Sequence, residues 1–176
     1  MRANEREPRA LEGDSAGTPV PYTAALHPTH YDRNGRSPAL RIDYLIVADA
    51  AQIANNKLYV MGGGWNQLRV NTLPADVNIG LAVGVRVDWN ETNVRRKLEL
   101  LVHDSDGKQL MRVEGQFETG RPAGIPQGSS QLIQVAANGR VQFPDVGSYL
   151  LLAVVDGDEL QRVPFYVSEA SKTAVV

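Results

Sequence analysis

Four aspartates in two short turns are the residues whose type and spacing come nearest to chemistry. Asp104 and Asp106 stand one residue apart in "HDSDG", and Asp156 and Asp158 do the same in "DGD". Each pair can present carboxylate oxygens to a hard cation such as calcium, which makes calcium the one cofactor the residues suggest. If the strands alternate simply up and down, with residues 140 to 143 counted as a strand of their own, both turns fall at one end and the four carboxylates gather there. Asp and Gly are also the commonest hairpin residues, so turn chemistry alone explains both pairs. The helix-loop-helix calcium motif is excluded, because Val102 and Val113 occupy positions that would need Asp and Glu.

The remaining candidates carry less. His27 and His30 in "HPTHYD" have a spacing that could hold a metal, but they sit in a proline-containing segment with no helix to fix them. His103 has acidic neighbours and no serine or cysteine motif around it, so a hydrolytic triad has no support. The "MGGGWNQL" stretch lacks the helix and the Lys-Ser/Thr pair of a phosphate loop and reads as a glycine bulge that bends a strand. The basic cluster "VRRK", with Trp89 nearby, is too small for nucleic-acid binding and reads as a charged strand edge. The longest internal loop, "GRPAGIPQGSS", makes Arg121 and Gln127 places to look for recognition. Catalytic residues are predicted to be absent.

Composition bounds the classes. The chain has 176 residues, 43% hydrophobic, enough for one domain with a core and an extension. Eighteen basic against 20 acidic residues give a net charge of −2, which provides no overall field for nucleic acid or an anionic membrane. No apolar stretch is long enough to span a membrane and no secretory signal is evident, which predicts the cytoplasm. The absence of cysteine removes disulfides, thiol catalysis and thiolate-held metals together.

The elements that must position these residues are strands. Residues 1–39 are scattered with prolines and arginines and sustain no period, which predicts an irregular tail. From about residue 40 to 168 the pattern is that of strands separated by turns, with a short C-terminal tail at 169–176. In "VNIGLAVGVRV", Ile79, Leu81, Val83, Val85 and Val87 alternate with small or polar residues, so the odd positions face a core. Further runs are "DYLIVAD", "KLYVM", "VRRKLELLVH", "KQLMRVEGQFET", "QLIQVA", "SYLLLAVV" and "LQRVPFYV", with turns at "NN", "DSDG", "NG" and "DGD". "ADAAQIA" reads as one short helical turn. About eight strands without crossover helices predict an all-β chain, an antiparallel sandwich of immunoglobulin-like or jelly-roll-like type.

The spacing Asp145, Gly147, Tyr149 in "FPDVGSYL" is that of a tyrosine corner, in which the hydroxyl bonds back to the turn before the strand. Leu151 takes the place of the cysteine found there in antibody domains. Both faces of "YLLLAVV" are apolar, and Gly80, Ala82 and Gly84 leave a flat strip on the outward side of their strand. Such surfaces need a cover, either the chain's own third layer or another subunit. The predicted interface comprises Gly80, Ala82, Gly84, Tyr149 and Leu151, and its predicted occupant is a protein, a second copy of the chain foremost.

The segments "DYLIVADAAQ", "KLYVMGGGWNQL", "DSDG", "GRPAGIPQGSS" and "FPDVGSYLLLAVVDGDELQRVPFYV", in that order, resemble a bacterial family of uncharacterised proteins, a domain of unknown function. The resemblance covers most of residues 41–167 and implies a compact β-sandwich, with no activity, cofactor or catalytic residue attached. The first 39 residues depart from the family's pattern. Together these readings predict a non-catalytic protein-binding or self-assembly module, with a ligand- or calcium-binding sandwich working through the acidic turns as the alternative and an enzyme third.

Overall fold

The structure, a computed structural model, describes residues 40–170. The N-terminal segment with His27 and His30 lies outside the described residues, as do residues 171–176. Ten strands occur among the described residues: β1 (Leu40–Ala48), β2 (Ala50–Ala54), β3 (Lys57–Met61), β4 (Gln67–Val70), β5 (Ala75–Val87), β6 (Arg96–Asp104), β7 (Gln109–Phe117), β8 (Gln131–Phe143), β9 (Gly147–Val155) and β10 (Asp158–Glu169). A single 3-10 turn at Trp89–Glu91 interrupts them. One sheet has the order β1-β5-β8, the other β4-β10-β9-β6-β7, and β2 with β3 forms a separate hairpin. All pairings are antiparallel except β4 with β10, which is parallel. Among the described residues no helix is long and apolar enough to cross a membrane.

The two sheets face each other across the core that period-two alternation predicts. Ile79, Leu81, Val83, Val85 and Val87 of β5 are all buried, against Leu98, Leu100 and Val102 of β6, Leu151, Ala153 and Val155 of β9 and Phe165 and Val167 of β10. Each such aliphatic side chain contributes about 1.5–3 kcal/mol by leaving water. Four rings close one end: Phe143 meets Tyr149 edge-on at 4.9 Å, Phe165 touches both, and Trp65 meets Phe165 edge-on at 5.6 Å. The corner is formed as its spacing predicts, since the Tyr149 hydroxyl donates to the Asp145 carbonyl at 2.7 Å. Tyr149 and Leu151 therefore belong to the core, 3% and 0% exposed, which corrects their assignment to an interface. The outward positions of β9 are Leu150, Leu152 and Val154.

The small-residue strip is also covered from within. The β2–β3 hairpin lies over the outer side of the three-stranded sheet, so close that a Cβ on Gly80 would stand 2.6 Å from the Ala50 backbone. Tyr44 lies flat against Gly84, where a Cβ would come within 2.4 Å of its ring, and its hydroxyl donates to Gln134 at 2.8 Å. Gly80 and Ala82 are buried under this layer, so the predicted subunit interface at Gly80, Ala82 and Gly84 is corrected to an intramolecular third layer. At Gly80 glycine is required because the approaching group is main chain, which cannot rotate away, whereas at Gly84 it is the Tyr44 ring.

Three local expectations change for identifiable reasons. "ADAAQIA" is strand β2, not a helical turn, because its backbone is held by Asn138: the side-chain amide accepts from Ala51 N at 2.9 Å and donates to Ala51 O at 2.7 Å. The same Asn138 and Gly139 do not make a turn. Asn138 points outward to the hairpin, Gly139 faces inward beneath Met111, and β8 runs unbroken from Gln131 to Phe143. The glycines of "MGGGW" do not bulge within one strand but carry the chain from the hairpin to the other sheet, with Gly64 N bonding Val47 O at 2.9 Å.

Two substitutions measure these devices. Tyr149→Phe should cost about 1 kcal/mol, lowering the melting temperature by roughly 3 °C. Gly80→Ala should cost more, about 1–3 kcal/mol, since the hairpin must lift off the sheet to admit the methyl group. Thermal unfolding followed by circular dichroism reads both, and a Gly80→Ala variant of unchanged melting temperature would contradict the tight packing.

Candidate functional site

The continuity of β8 decides the fate of the acidic turns. With one long strand where two were counted, the parity of the remaining turns flips. Register confirms it: Asp104 pairs with Tyr149 at one end of the β6/β9 ladder, and Leu98 pairs with Val155, next to Asp156, at the other. The four-aspartate cluster is therefore corrected. Each turn also occupies its own carboxylate. Asp104 Oδ1 accepts the N–H groups of Asp106 at 3.0 Å and Lys108 at 2.8 Å. Asp156 accepts Lys97 N at 2.8 Å on Oδ1 and the Arg96 guanidinium at 2.9 Å on Oδ2. Asp106 and Asp158 stand on separate loops, and among the described residues no group of three or more metal-ligating side chains gathers. His103 has Leu150 and Gln109 as cross-strand partners, neither of which supplies the orienting carboxylate of a triad.

The long loop is held by the arginine singled out in its sequence. Arg121 donates through Nε to Thr92 Oγ1 at 2.7 Å and through a terminal nitrogen to the Trp89 carbonyl at 3.1 Å, with its guanidinium 4.7 Å from the centre of the Trp89 ring. Two of its nitrogens thus fix the loop to the 3-10 turn. Gln127 is exposed on the same loop. The "VRRK" cations are also partnered: Arg95 with Glu118, Arg96 with Glu91 and Asp156, Lys97 with Glu99 and Glu114.

The feature that sequence reading missed lies between β7 and β8. Each is the last strand of its sheet, so on this side of the sandwich both sheets end in an edge without a strand partner among the described residues. An apolar cleft opens there, lined by Leu98, Leu100, Val135 and the β7 residues 113–117. Consecutive strand residues point to opposite faces, so a lining that takes five in a row is the strand's edge, its main chain. Gly115 sits on the core-facing side, opposite Leu98 and between Val113 and Phe117, yet a Cβ added to it would meet nothing within 4 Å. A glycine at a core-facing position with open space above it leaves a notch that no side chain among the described residues fills. The signal was present in "RVEGQF" as a glycine on the apolar parity of a strand.

The outward side of the same edge is charged. Lys97 and Arg112 each reach both Glu99 and Glu114, with Arg112 to Glu114 at 2.7 Å and Lys97 to Glu114 at 3.3 Å. The hydrogen bond from Lys97, followed by the positive charges of Lys97 and Arg112, holds the Glu114 carboxyl below its ordinary pKa, so this edge residue stays ionised.

Asp156 gives a pH test of the turn. The Lys97 amide, followed by Arg96, holds its carboxyl below the usual carboxylate range. A depressed folded-state pKa adds stability above the unfolded value and loses it as pH falls through the folded one. Asp156 has a positive φ of 52°, which asparagine also tolerates, so Asp156→Asn removes the charge with little backbone strain. The variant should be less stable at neutral pH, and the gap should close in acid; urea titrations at several pH values check it, and a pH-independent gap would refute the assignment.

Among solved structures, the chain is similar to a DNA-bound alkylpurine DNA glycosylase of Pseudomonas fluorescens, 12% identical with a TM-score of 0.38, covering 73% of this chain and 30% of that one. It is similar to a putative β-galactosidase of Bacteroides fragilis at 11% identity and a TM-score of 0.35, over 73% of this chain and 16% of that one. An immunoglobulin-like protein of Pseudomonas aeruginosa is matched over 73% of this chain and 96% of its own at 14% identity, with a TM-score of 0.30. The chain thus spans less than a third of either enzyme, and none of these likenesses carries an activity to it. No curated protein sequence matches the chain. Residues 43–168 do match a family of unknown function, DUF6941, and the chain, with most of its length inside that match, belongs to this family.

Proposed function

We propose that this sandwich is a non-catalytic protein-binding module whose docking site is the free edge of β7 above the apolar cleft. The observation that carries the reading is Gly115, a core-facing position with open space beside a strand edge that has no strand partner among the described residues. An edge offers a row of main-chain donors and acceptors, which specifies an extended segment as the ligand, and the notch beneath adds a preference for an apolar side chain. The cleft's lining is mainly aliphatic and aromatic, with Glu114 and Gln116 turned to the outer face, which disfavours a charged side chain in the notch. Arg121 supports the arrangement by pinning the loop that follows β7, so the edge is held ready for its ligand.

A photoreactive benzoylphenylalanine at position 116, on the outer side of the edge, tests this in the full chain, both purified and in cell extract. Irradiation should give polypeptide adducts that Gly115→Leu abolishes, while the variant keeps its circular dichroism spectrum because leucine enters open space. The same probe at Arg162, away from β7, should not respond to the substitution. Adducts at 116 that survive Gly115→Leu, or no adducts at all, would overturn the reading.

A further inference from the structure

Resting on that reading, we propose that the β7 edge is occupied by β7 of a second copy of this chain, antiparallel, with Val113 on the two-fold axis. The argument is one of self-complementarity along "MRVEG". In an antiparallel pair related by a two-fold axis through Val113, Arg112 stands opposite the partner's Glu114 and Glu114 opposite the partner's Arg112. Met111 stands opposite the partner's Gly115, and its thioether, which lies over Gly139 within the single chain, would enter the open notch by swinging away from that glycine. Methionine's flexible thioether suits such a gap. Val113 meets its own equivalent, a β-branched pair that packs well across strands.

Other registers are disfavoured by named contacts. A shift of one residue would set core-facing positions against outward ones, exposing Val113 and burying charge. Shifts of two residues set Arg112 against the partner's Arg112, or Glu114 against the partner's Glu114. Like charges directly opposite are destabilising, and Arg112 and Glu114, though paired within their own chain with Glu99, Lys97 and each other, are 42% and 55% exposed at the edge, where a partner's charges can join the same network. The irregularity in pairing between Val102 and His103, which leaves Leu110 out of the ladder, ends the regular edge on one side and limits the paired stretch to about Met111–Gly115.

The symmetry also accounts for the cleft. In an antiparallel sheet the two-fold axis runs perpendicular to the strands' common plane, so both three-stranded sheets lie on the same side of it. The two clefts then open towards each other, and the apolar residues Val135, Val113 and Phe117 of each copy are covered by the other. The result is one continuous sheet, five strands from each copy, with both β7 edges removed.

Light scattering on the full chain should give twice the 19.2 kDa chain mass. Arg112→Glu should weaken the dimer about tenfold or more, and adding Glu114→Arg to it should restore assembly, a rescue that a merely unfolded variant could not show. Because the chain has no cysteine, Val113→Cys offers an independent reading: mild oxidation should yield a disulfide-linked dimer, whereas Gln109→Cys should not. A monomeric wild type overturns the proposal, and if position 116 still gives adducts sensitive to Gly115→Leu, the docking site stands with another protein as its ligand. A dimer that ignores Arg112→Glu, fails to recover with the charge swap or does not cross-link through residue 113 overturns it too, by locating the contact elsewhere.

Discussion

The side-chain amide of Asn138 is the contact on which the arrangement turns. By accepting from and donating to Ala51 it takes the place of a neighbouring strand, and so it fastens the β2–β3 hairpin onto a sheet that would otherwise expose its outer side. Because Asn138 points to the hairpin it is not available to make a turn with Gly139, and β8 continues straight. That continuity sets which end of the molecule each later turn occupies and leaves β8 and β7 as facing edges. The cost of burying a polar amide is offset because both its donor and its acceptor are used.

Much of the core was legible because strand alternation is a strong signal where one face is buried. The five odd positions from Ile79 to Val87 and the corner at Tyr149 needed only a period of two and a known spacing. What was not legible depended on tertiary partners. "NG" between apolar runs is a strong hairpin signal locally, and nothing in the sequence near it announces that Asn138 will bond a strand eighty-odd residues earlier. The glycine strip at Gly80, Ala82 and Gly84 correctly called for a close-packed cover, but the identity of that cover, the chain's own "AAQIANNKLYV" hairpin, could not follow from the strip. Likewise the acidic turns were identified as turns, and the misplaced end came from a single miscounted strand.

The charged residues divide into two kinds of work. Arg96 and Asp156 tie the β9–β10 turn to the start of β6, and Arg121 ties the loop after β7 to the 3-10 turn, each to a partner far away in sequence. Arg112 and Glu114 instead stand on an outermost strand, half exposed, where charge both discourages indiscriminate edge pairing and, by its order along the strand, can select one register. The cleft beside them has no such polar guard on its inner side, which is lined by Leu98, Leu100, Val113 and Val135.

The parallel pairing of β4 with β10 has a consequence for synthesis. Gln67 pairs with Tyr166, and the Tyr166 amide bonds the Asn66 carbonyl, so an early segment waits for the last strand before it acquires its neighbour. On a ribosome, the sheet that holds the rings of Tyr149 and Phe165 cannot be completed until the C-terminal strand has left the exit tunnel. Such distant pairing slows folding and lengthens the interval in which half-built edges are exposed to other nascent chains. Chaperone dependence during translation, and sensitivity to truncation from the C-terminus rather than to changes in the exposed loops, are the expected marks of this topology.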